Sequence, residues 1–328
     1  MNNFTYTQAD GVDNAVQEIA GHSEARFIAG GTNLIDLMKE HVMQPEHLID
    51  INSIHLNSIE FLEDGRLHLG ALVTNADTAW HPAVEKHYPL LSDAILAGAS
   101  PQLRNMATNG GNLMQRTRCY YFYDTTTPCN KREPGAGCSA MNGYNRIHAI
   151  LGTSPHCIAV HPSDMCVALR ALDATIQVKG LHGERLIPIA DFHRLPGDTP
   201  QLDNNLAHDE LITGIILPRE HFTQHYKYLK VRDRASYAFA LVSVAVVATM
   251  EEGIITNIRM AMGGVAHKPW RDENAEQWLK GKPATQENFA YAADMILQDA
   301  KTFGTNDFKP ALAKRAIVRA CREATNIG

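Results

Sequence analysis

The sequence lacks any apolar run long enough to cross a membrane as a helix. Such a helix needs about 20 mostly apolar residues. The longest candidate, Ala238 to Met250, is shorter and is interrupted by Ser243 and Thr249. The first ten residues contain neither a basic segment nor an apolar one, so we expect no export signal of the chain's own. These features predict a soluble protein with no membrane span.

The sequence also lacks an excess of basic residues. Its 30 Lys and Arg residues against 36 Asp and Glu residues give a net charge of −6. Proteins that bind nucleic acid usually present a basic face, so no nucleic-acid partner is expected. A hydrophobic share of 45% excludes disorder for most of the chain, and 328 residues are typical of two domains.

Cysteine is scarce, with six residues in 328, which excludes a disulfide-dense scaffold. Four of the six nevertheless fall in one segment, while Cys166 and Cys321 lie outside it. The clustered cysteines are Cys119, Cys129, Cys138 and Cys157. Four thiolates can bind an iron–sulfur cluster or a zinc ion.

The spacing of these cysteines leaves their role open. It contains none of the closely paired cysteines typical of structural zinc, and it is not the spacing of bacterial ferredoxins. In an exported protein, disulfides are a further alternative. Basic residues near the first two cysteines could offset the charge of a thiolate-ligated cluster; they are Arg116, Arg118, Lys131 and Arg132.

Two glycine-rich loops are candidates for binding a phosphate-containing ligand. The first is Ile28-Ala29-Gly30-Gly31-Thr32-Asn33-Leu34, between a predicted strand and a predicted helix; the second is Ala107-Thr108-Asn109-Gly110-Gly111-Asn112-Leu113. Glycines allow backbone amides to approach a ligand closely, and the start of a helix favours an anion. Either loop alone could also be a tight turn with a capping residue. Together they favour a dinucleotide, although neither fits the Rossmann or Walker A pattern.

Two charged residues outside these loops have competing interpretations. Asp164 lies where a predicted strand meets a predicted helix, so it could cap the helix or accept a hydrogen bond from a ligand hydroxyl. Lys230 lies among apolar residues of a predicted strand, where its charge needs either a partner or a position at the surface.

The order of the predicted elements favours two domains. Up to about residue 220, short strands alternate with helices; they include a strand over Ile158–Val160 and a helix from Asp164 to Leu172. After a polar boundary, three strands are predicted at 226–231, 237–249 and 254–262, followed by helices at 270–280, 286–299 and 309–324. Strands followed by helices predict an α+β unit.

Read in order, five motifs resemble those of the FAD-binding medium subunit of the xanthine dehydrogenase, or molybdenum hydroxylase, family. They are Ala29-Gly30-Gly31-Thr32-Asn33-Leu34, Thr108-Asn109-Gly110-Gly111-Asn112, Pro162-Ser163-Asp164, Leu211-Ile212-Thr213-Gly214-Ile215 and Lys230-Val231-Arg232-Asp233-Arg234. The resemblance implies an α+β fold in two domains. Residues 1–222 would form an FAD-binding domain of the p-cresol methylhydroxylase type, with two α/β subdomains. Residues 225–328 would form a C-terminal α+β domain of the CO dehydrogenase flavoprotein type, with a three-stranded antiparallel sheet and helices.

The resemblance also implies which residues bind FAD. A first group surrounds the first glycine loop and comprises Arg26, Phe27, Ile28, Ala29, Gly30, Gly31, Thr32, Asn33 and Leu34. A second group comprises Thr108, Gly111, Asn112, Asp164, Ile212 and Lys230. The positions that match Ile212 and Lys230 flank the isoalloxazine ring in the family. No catalytic residue is assigned to this chain.

The segment that contains the four cysteines departs from the usual family pattern. In most members the second glycine loop and the Ser-Asp pair lie close together in sequence, whereas here about 50 residues separate them. The resulting insert, at about 115–158, resembles the cluster-binding loop of the 4-hydroxybenzoyl-CoA reductases and the bacterial periplasmic aldehyde oxidoreductases. This likeness implies that Cys119, Cys129, Cys138 and Cys157 bind a [4Fe–4S] cluster.

By resemblance, the chain is an electron-transfer subunit of a heterotrimer. A large subunit with a molybdopterin cofactor would convert an aldehyde and water to a carboxylic acid, and a small subunit would carry two [2Fe–2S] clusters. FAD would pass electrons to an external acceptor such as ferredoxin. A partner with a twin-arginine signal would carry the chain to the periplasm; without such a partner it would be cytoplasmic. Alternatives are a reductase or xanthine dehydrogenase subunit, a stand-alone FAD oxidase and a zinc-stabilised scaffold.

Overall fold

A computed structural model describes residues 1–326 and contains three β-sheets. The first sheet is parallel, in the order β1-β3-β2, and consists of β1 (Thr5–Gln8), β2 (Ala25–Ile28) and β3 (His47–Asp50). Helix α1 (Val12–Ala20) connects β1 to β2, and α2 (Leu34–Lys39) follows β2. The glycine-rich loop between β2 and α2 is therefore at the carboxyl edge of a parallel sheet, where α/β proteins commonly bind ligands.

The second sheet is antiparallel and has the order β4-β5-β8-β6-β7. Its strands are β4 (Ile59–Phe61), β5 (Leu67–Gly70), β6 (Thr175–Gly180), β7 (Gly183–Pro188) and β8 (Leu211–Leu217). The tight turn at Asp64-Gly65 joins β4 to β5. Every residue of the central strand β8 is buried.

Short helices lie between the strands of the second sheet. They are α3 (Asn75–Ala79), α4 (Pro82–His87), α5 (Pro89–Ala97), α6 (Pro101–Arg104), α7 (Asn109–Leu113), α8 (Tyr120–Tyr123), α9 (Asp164–Ala171) and α10 (Ile189–Phe192). The buried helix α9 packs against α5 on one side and against strands of the C-terminal sheet on another.

The C-terminal region forms the third sheet and three helices. Its antiparallel strands, in the order β11-β10-β9, are β9 (Tyr226–Val231), β10 (Val242–Glu251) and β11 (Ile254–Gly263); its helices are α11 (Glu273–Leu279), α12 (Gln286–Leu297) and α13 (Lys309–Ala324). Buried residues of β10 and β11 and of all three helices form one apolar core. The α+β prediction is confirmed, including the three-stranded antiparallel sheet.

The structure corrects two predicted strands. The segment Ile158–Val160 is buried but lies outside any strand, because its neighbourhood hydrogen-bonds to separate segments: Ile158 accepts from Ala149, and His161 donates to Ala266. Strand β10 begins at Val242 rather than at 237, and Tyr237 has a positive φ of 50° that no regular strand tolerates. Apolar composition alone indicates burial and does not distinguish a strand from a packed loop.

The insert contains little regular structure. Within residues 115–158 the helix α8 is a single turn, and isolated bridges join Cys129 to Cys138 and Ser154 to Cys157. The side chains that pack together in this segment include the cysteines themselves. Within residues 1–326, no helix has the length and apolarity that spanning a membrane would require.

Candidate cofactor sites

A cleft with a volume of about 430 Å³ lies between the first and second sheets. All nine residues of the first predicted group, from Arg26 to Leu34, line it. Thr108, Gly111 and Ile212 line the same cleft from α7 and β8. The fold therefore brings together two glycine-rich loops that are about 80 residues apart in the sequence.

The first loop presents unused hydrogen-bond donors to this cleft. In the described chain, the amides of Thr32, Asn33 and Leu34 donate to no protein acceptor. Asn33 accepts from the Arg116 amide at 2.9 Å through Oδ1, and its buried Nδ2 has no partner among residues 1–326. An unpartnered buried donor is costly unless a ligand or water satisfies it. These donors fit the pyrophosphate of a dinucleotide.

Close packing fixes the conformation of this loop. A Cβ atom at Gly30 would lie 1.8 Å from the carbonyl oxygen of Met106, so only glycine fits between this loop and the segment before α7. Gly31 has a φ of +70°, in the left-handed region that glycine adopts without strain. The backbone conformation and packing of the loop therefore require glycine at both positions, whether or not a ligand is bound.

The second loop uses some of its donors internally. Thr108 caps α7, since its Oγ1 accepts from the Gly111 amide at 3.2 Å, as the alternative interpretation of the sequence proposed. Asn112 does not line the cleft. Its side chain donates to Asn75 at 2.6 Å and accepts from Ser163 at 2.6 Å, which ties α7 to the start of α9.

Asp164 and Lys230 form a buried ion pair outside the large cleft. Lys230 Nζ lies 2.8 Å from Asp164 Oδ2, and the side chains are 4% and 8% exposed. Asp164 also accepts from the Tyr228 hydroxyl at 2.5 Å, and Lys230 donates to the Ala97 carbonyl. Burial, followed by the Asp164 charge, raises the pKa of Tyr228 well above its usual value. Lys230 thus has a buried partner and is not at the surface.

Asp164 lines a second, smaller pocket between α9 and the C-terminal sheet. Arg118, His161 and Phe239 line it as well. This pocket and the large cleft together contain every residue of the predicted FAD site except Asn112 and Lys230.

Sequence reasoning missed a charged and polar wall of the large cleft. This wall comes from the segment before β8 and includes Gln201, Asp203, Asn204, His208 and Glu210, and Arg116 lies beside it. The segment has no glycine motif or hydrophobic periodicity that could have indicated a site. Gln201 Oε1 is buried without a partner, so it is a further group that a ligand could satisfy.

The four clustered cysteines line one pocket. All six cysteines are free thiols, so the disulfide alternative finds no support in the structure. Cys119, Cys129 and Cys157 are buried, and Cys138 is partly exposed. The fold thus gathers the predicted metal ligands at one place.

Backbone amides surround these sulfurs. Ala159 donates to Cys157 Sγ at 3.4 Å. Burial raises the pKa of the Cys119 thiol to about 12, and the amides of Phe122 and Tyr121 oppose this shift. Burial likewise raises the pKa of Cys157, to about 11, with Lys131 opposing it. Thiolates in this pocket therefore need a bound cation, and the amides are placed to stabilise them.

The sulfurs are not drawn together at the spacing of a zinc site. Zinc bound at about 2.3 Å by four thiolates places them about 3.8 Å apart. Among residues 1–326, no three of these cysteine sulfurs lie within 4.8 Å of one another.

An ionic network connects the cysteine pocket with the large cleft. Lys131, whose side chain is 1% exposed, lies 2.6 Å from Asp203 Oδ1; Arg116 Nε lies 2.6 Å from Oδ2. Lys131 lines the cysteine pocket, whereas Arg116 and Asp203 line the cleft. Although burial alone would raise it, these two cations hold the pKa of Asp203 well below its usual value.

Comparison with known families identifies the chain. Residues 2–220 match the FAD binding domain in molybdopterin dehydrogenase, and residues 224–324 match the CO dehydrogenase flavoprotein C-terminal domain. The chain belongs to the FAD-binding subunits of the molybdenum hydroxylases. The resemblance drawn from the sequence motifs is therefore confirmed.

Individual relatives extend this family assignment. The chain is 48% identical over 326 residues to the aldehyde oxidoreductase FAD-binding subunit of Escherichia coli, covering 99% of each chain. It is 30% identical to the glyceraldehyde dehydrogenase medium chain of Sulfolobus acidocaldarius, covering 85% of this chain and 82% of the relative. The solved structure of carbon monoxide dehydrogenase from Hydrogenophaga pseudoflava aligns with a TM-score of 0.77 at 28% identity, covering 98% and 97% of the two chains.

Proposed function

We propose that this chain is the FAD- and [4Fe–4S]-binding subunit of a heterotrimeric, molybdenum-containing aldehyde oxidoreductase. The observation that carries the proposal is that Asp203 pairs with Arg116 in the cleft and with Lys131 in the cysteine pocket. The two candidate cofactor sites thus share one charge network. The 48% identity to an aldehyde oxidoreductase FAD-binding subunit supports the substrate class.

The residues of the cleft would hold the dinucleotide in place. The amides of Thr32, Asn33 and Leu34 would bind its pyrophosphate, with Thr108 and Gly111 on the other side and Ile212 against the ring system. Asp164 would accept from a ligand hydroxyl, and Asn112 would hold α7 against α9. Arg26, Phe27, Ile28, Ala29, Gly30 and Gly31 complete the wall of the cleft.

The residues of the insert would hold the iron–sulfur cluster. Cys119, Cys129, Cys138 and Cys157 would be its ligands, and Lys131 would offset part of their negative charge. When bound, the cluster and FAD supply electron transfer between the partner subunits and an external acceptor such as ferredoxin. A large molybdopterin-binding subunit and a small subunit with two [2Fe–2S] clusters would complete the heterotrimer, and a twin-arginine signal on a partner would direct it to the periplasm.

Purification of the co-expressed complex tests the proposal. We expect bound FAD, four additional iron atoms in this chain, a [4Fe–4S] EPR signal and flavin bleaching on addition of an aldehyde. Mass spectrometry should identify the two partners, and cell fractionation should find them in the periplasm. A matured complex without flavin and without iron in this chain would overturn the proposal. Flavin without iron would contradict the [4Fe–4S] assignment and leave the chain as an FAD-binding subunit alone.

A further inference from the structure

The side chain of His148 contacts one of the cluster-binding cysteines. His148 Nε2 lies 3.0 Å from Cys119 Sγ, and His148 is 1% exposed. The two atoms are therefore within hydrogen-bonding distance of each other, in a part of the chain that is closed to solvent.

The chemistry of a cluster ligand decides which of the two groups donates the hydrogen bond. A thiolate bound to iron carries no proton, so it can only accept a hydrogen bond. An imidazole that contacts such a thiolate through Nε2 must therefore hold a proton on Nε2 and donate it. The buried Nδ1 atom has no hydrogen-bond partner within residues 1–326.

The C-terminal region holds His148 in this position. Lys309 of α13 is fully buried, and its Nζ donates to the His148 carbonyl at 2.7 Å and to the Gly264 carbonyl. In the same segment, Asn306 donates to the Ala149 carbonyl at 3.2 Å and Asn145 donates to the Phe303 carbonyl at 2.6 Å. About 160 residues separate these partners in the sequence, so the contact depends on the packing of the C-terminal region against the insert.

We propose that His148 donates an Nε2–H···S hydrogen bond to the Cys119 thiolate and thereby raises the reduction potential of the cluster. Hydrogen bonds to the sulfurs stabilise the extra negative charge of a reduced cluster, so they favour reduction. His148 is accordingly a positioning residue, and Lys309 fixes its backbone. The inference rests on the proposed function, because it requires the [4Fe–4S] cluster.

The test begins with the wild-type complex labelled with ¹⁵N-histidine. Pulsed EPR of the reduced cluster should show a coupled ¹⁵N nucleus, and in D₂O an exchangeable deuteron. If the wild type has no cluster signal, the proposed function fails. If it has the signal without ¹⁵N coupling, this inference alone is overturned.

Redox titration followed by EPR provides the second readout. In His148→Leu, loss of the donor should lower the midpoint potential by about 59 mV, equal to a tenfold change in a one-electron equilibrium. His148→Gln keeps an N–H donor and should recover at least half of this shift. The exposed His182→Leu serves as control and should leave the potential unchanged. Equal potentials in His148→Leu and wild type would overturn the inference; if His148→Leu loses its iron, His148→Gln and the ¹⁵N coupling decide.

Discussion

Lys131 and Asp203 form an ion pair of 2.6 Å that joins the insert to the wall of the large cleft. Lys131 is buried among the cysteines, and its Nζ also donates to the Pro200 carbonyl at 2.6 Å. The insert is thus fixed to the segment before β8 by a charged contact as well as by packing. We expect this contact to matter for the stability of both sites.

Removing the charge of Asp203 should destabilise the protein. In Asp203→Asn, Lys131 and Arg116 remain in place without their carboxylate, and breaking a buried pair on one side costs about 3 kcal/mol. Urea unfolding monitored by circular dichroism measures the change. Asp198→Asn is the matched control, since that side chain is 97% exposed and its loss should cost less than about 1 kcal/mol. Equal unfolding midpoints for the two variants would contradict the role given to Asp203.

The cysteine assignment predicts a selective loss of iron. Cys129→Ser or Cys138→Ser should abolish the [4Fe–4S] EPR signal and leave FAD bound, because the cleft does not include these residues. Cys166→Ala and Cys321→Ala are controls in which a buried thiol outside the insert is removed. Iron analysis and flavin absorbance measure both effects. Full iron content in Cys129→Ser would show that the ligand set is wrong.

Asn33 should contribute to FAD affinity. In Asn33→Ala the unpartnered Nδ2 donor and the acceptor for the Arg116 amide are both lost. One lost hydrogen bond of about 1.4 kcal/mol corresponds to about tenfold weaker binding. Recovery of flavin fluorescence on dilution measures the dissociation constant. The exposed Asn57→Ala serves as control, and an Asn33→Ala variant with unchanged affinity would exclude Asn33 from the site.

Much of both sites could be predicted because their signals are local. The strand–glycine–helix pattern marks the first loop, and four cysteines in one segment mark a possible shared ligand set. In the structure the loop lines the large cleft and the four cysteines line one pocket. The contacts that join them are not local. Lys131 and Asp203 lie about 70 residues apart, and His148 and Lys309 about 160 apart, so no periodicity or motif links either pair. Such pairs follow from tertiary packing alone.

The Ile158–Val160 segment illustrates the same limit within the fold. Its residues are as apolar as those of the true strand β8, but the backbone around them hydrogen-bonds to Ala149 and Ala266, which lie outside the strands. The apolar composition of this segment predicts only that its side chains are buried. Whether they join a sheet depends on elements far away in the chain.

Buried histidines should make stability depend on pH. His193 is buried and donates through Nε2 to the Leu113 carbonyl, 2.9 Å away, and burial lowers its pKa to about 4. Between pH 6.5 and 4 the unfolded chain binds a proton at this position and the folded chain does not. The stability attributable to His193 is therefore fully present above pH 6.5. It decreases as the pH is lowered from 6.5 to 4, by about 1.4 kcal/mol per pH unit.

Urea unfolding at pH values from 7 to 4.5 measures this dependence. His193→Gln should reduce the slope of unfolding free energy against pH by about 1.4 kcal/mol per pH unit, which is the contribution of one proton. The exposed His182→Gln should leave the slope unchanged. A His193→Gln variant with the wild-type slope would show that His193 binds its proton over the same pH range in the folded and the unfolded protein.

The last prediction concerns the buried pair of Lys230 with Asp164. Lys230→Met removes the cation and leaves Asp164, among side chains of residues 1–326, with the Tyr228 hydroxyl alone as its partner. If Lys230 lies beside the isoalloxazine ring, as the family resemblance implies, the remaining negative charge of Asp164 disfavours a reduced, anionic flavin. The flavin midpoint potential should then fall, as measured by spectroelectrochemical titration. Lys227→Met is the matched control, because Lys227 is on the same strand but pairs with Glu323 near the surface. Identical flavin potentials in the two variants would place the pair away from the ring and limit its role to joining α9 to β9.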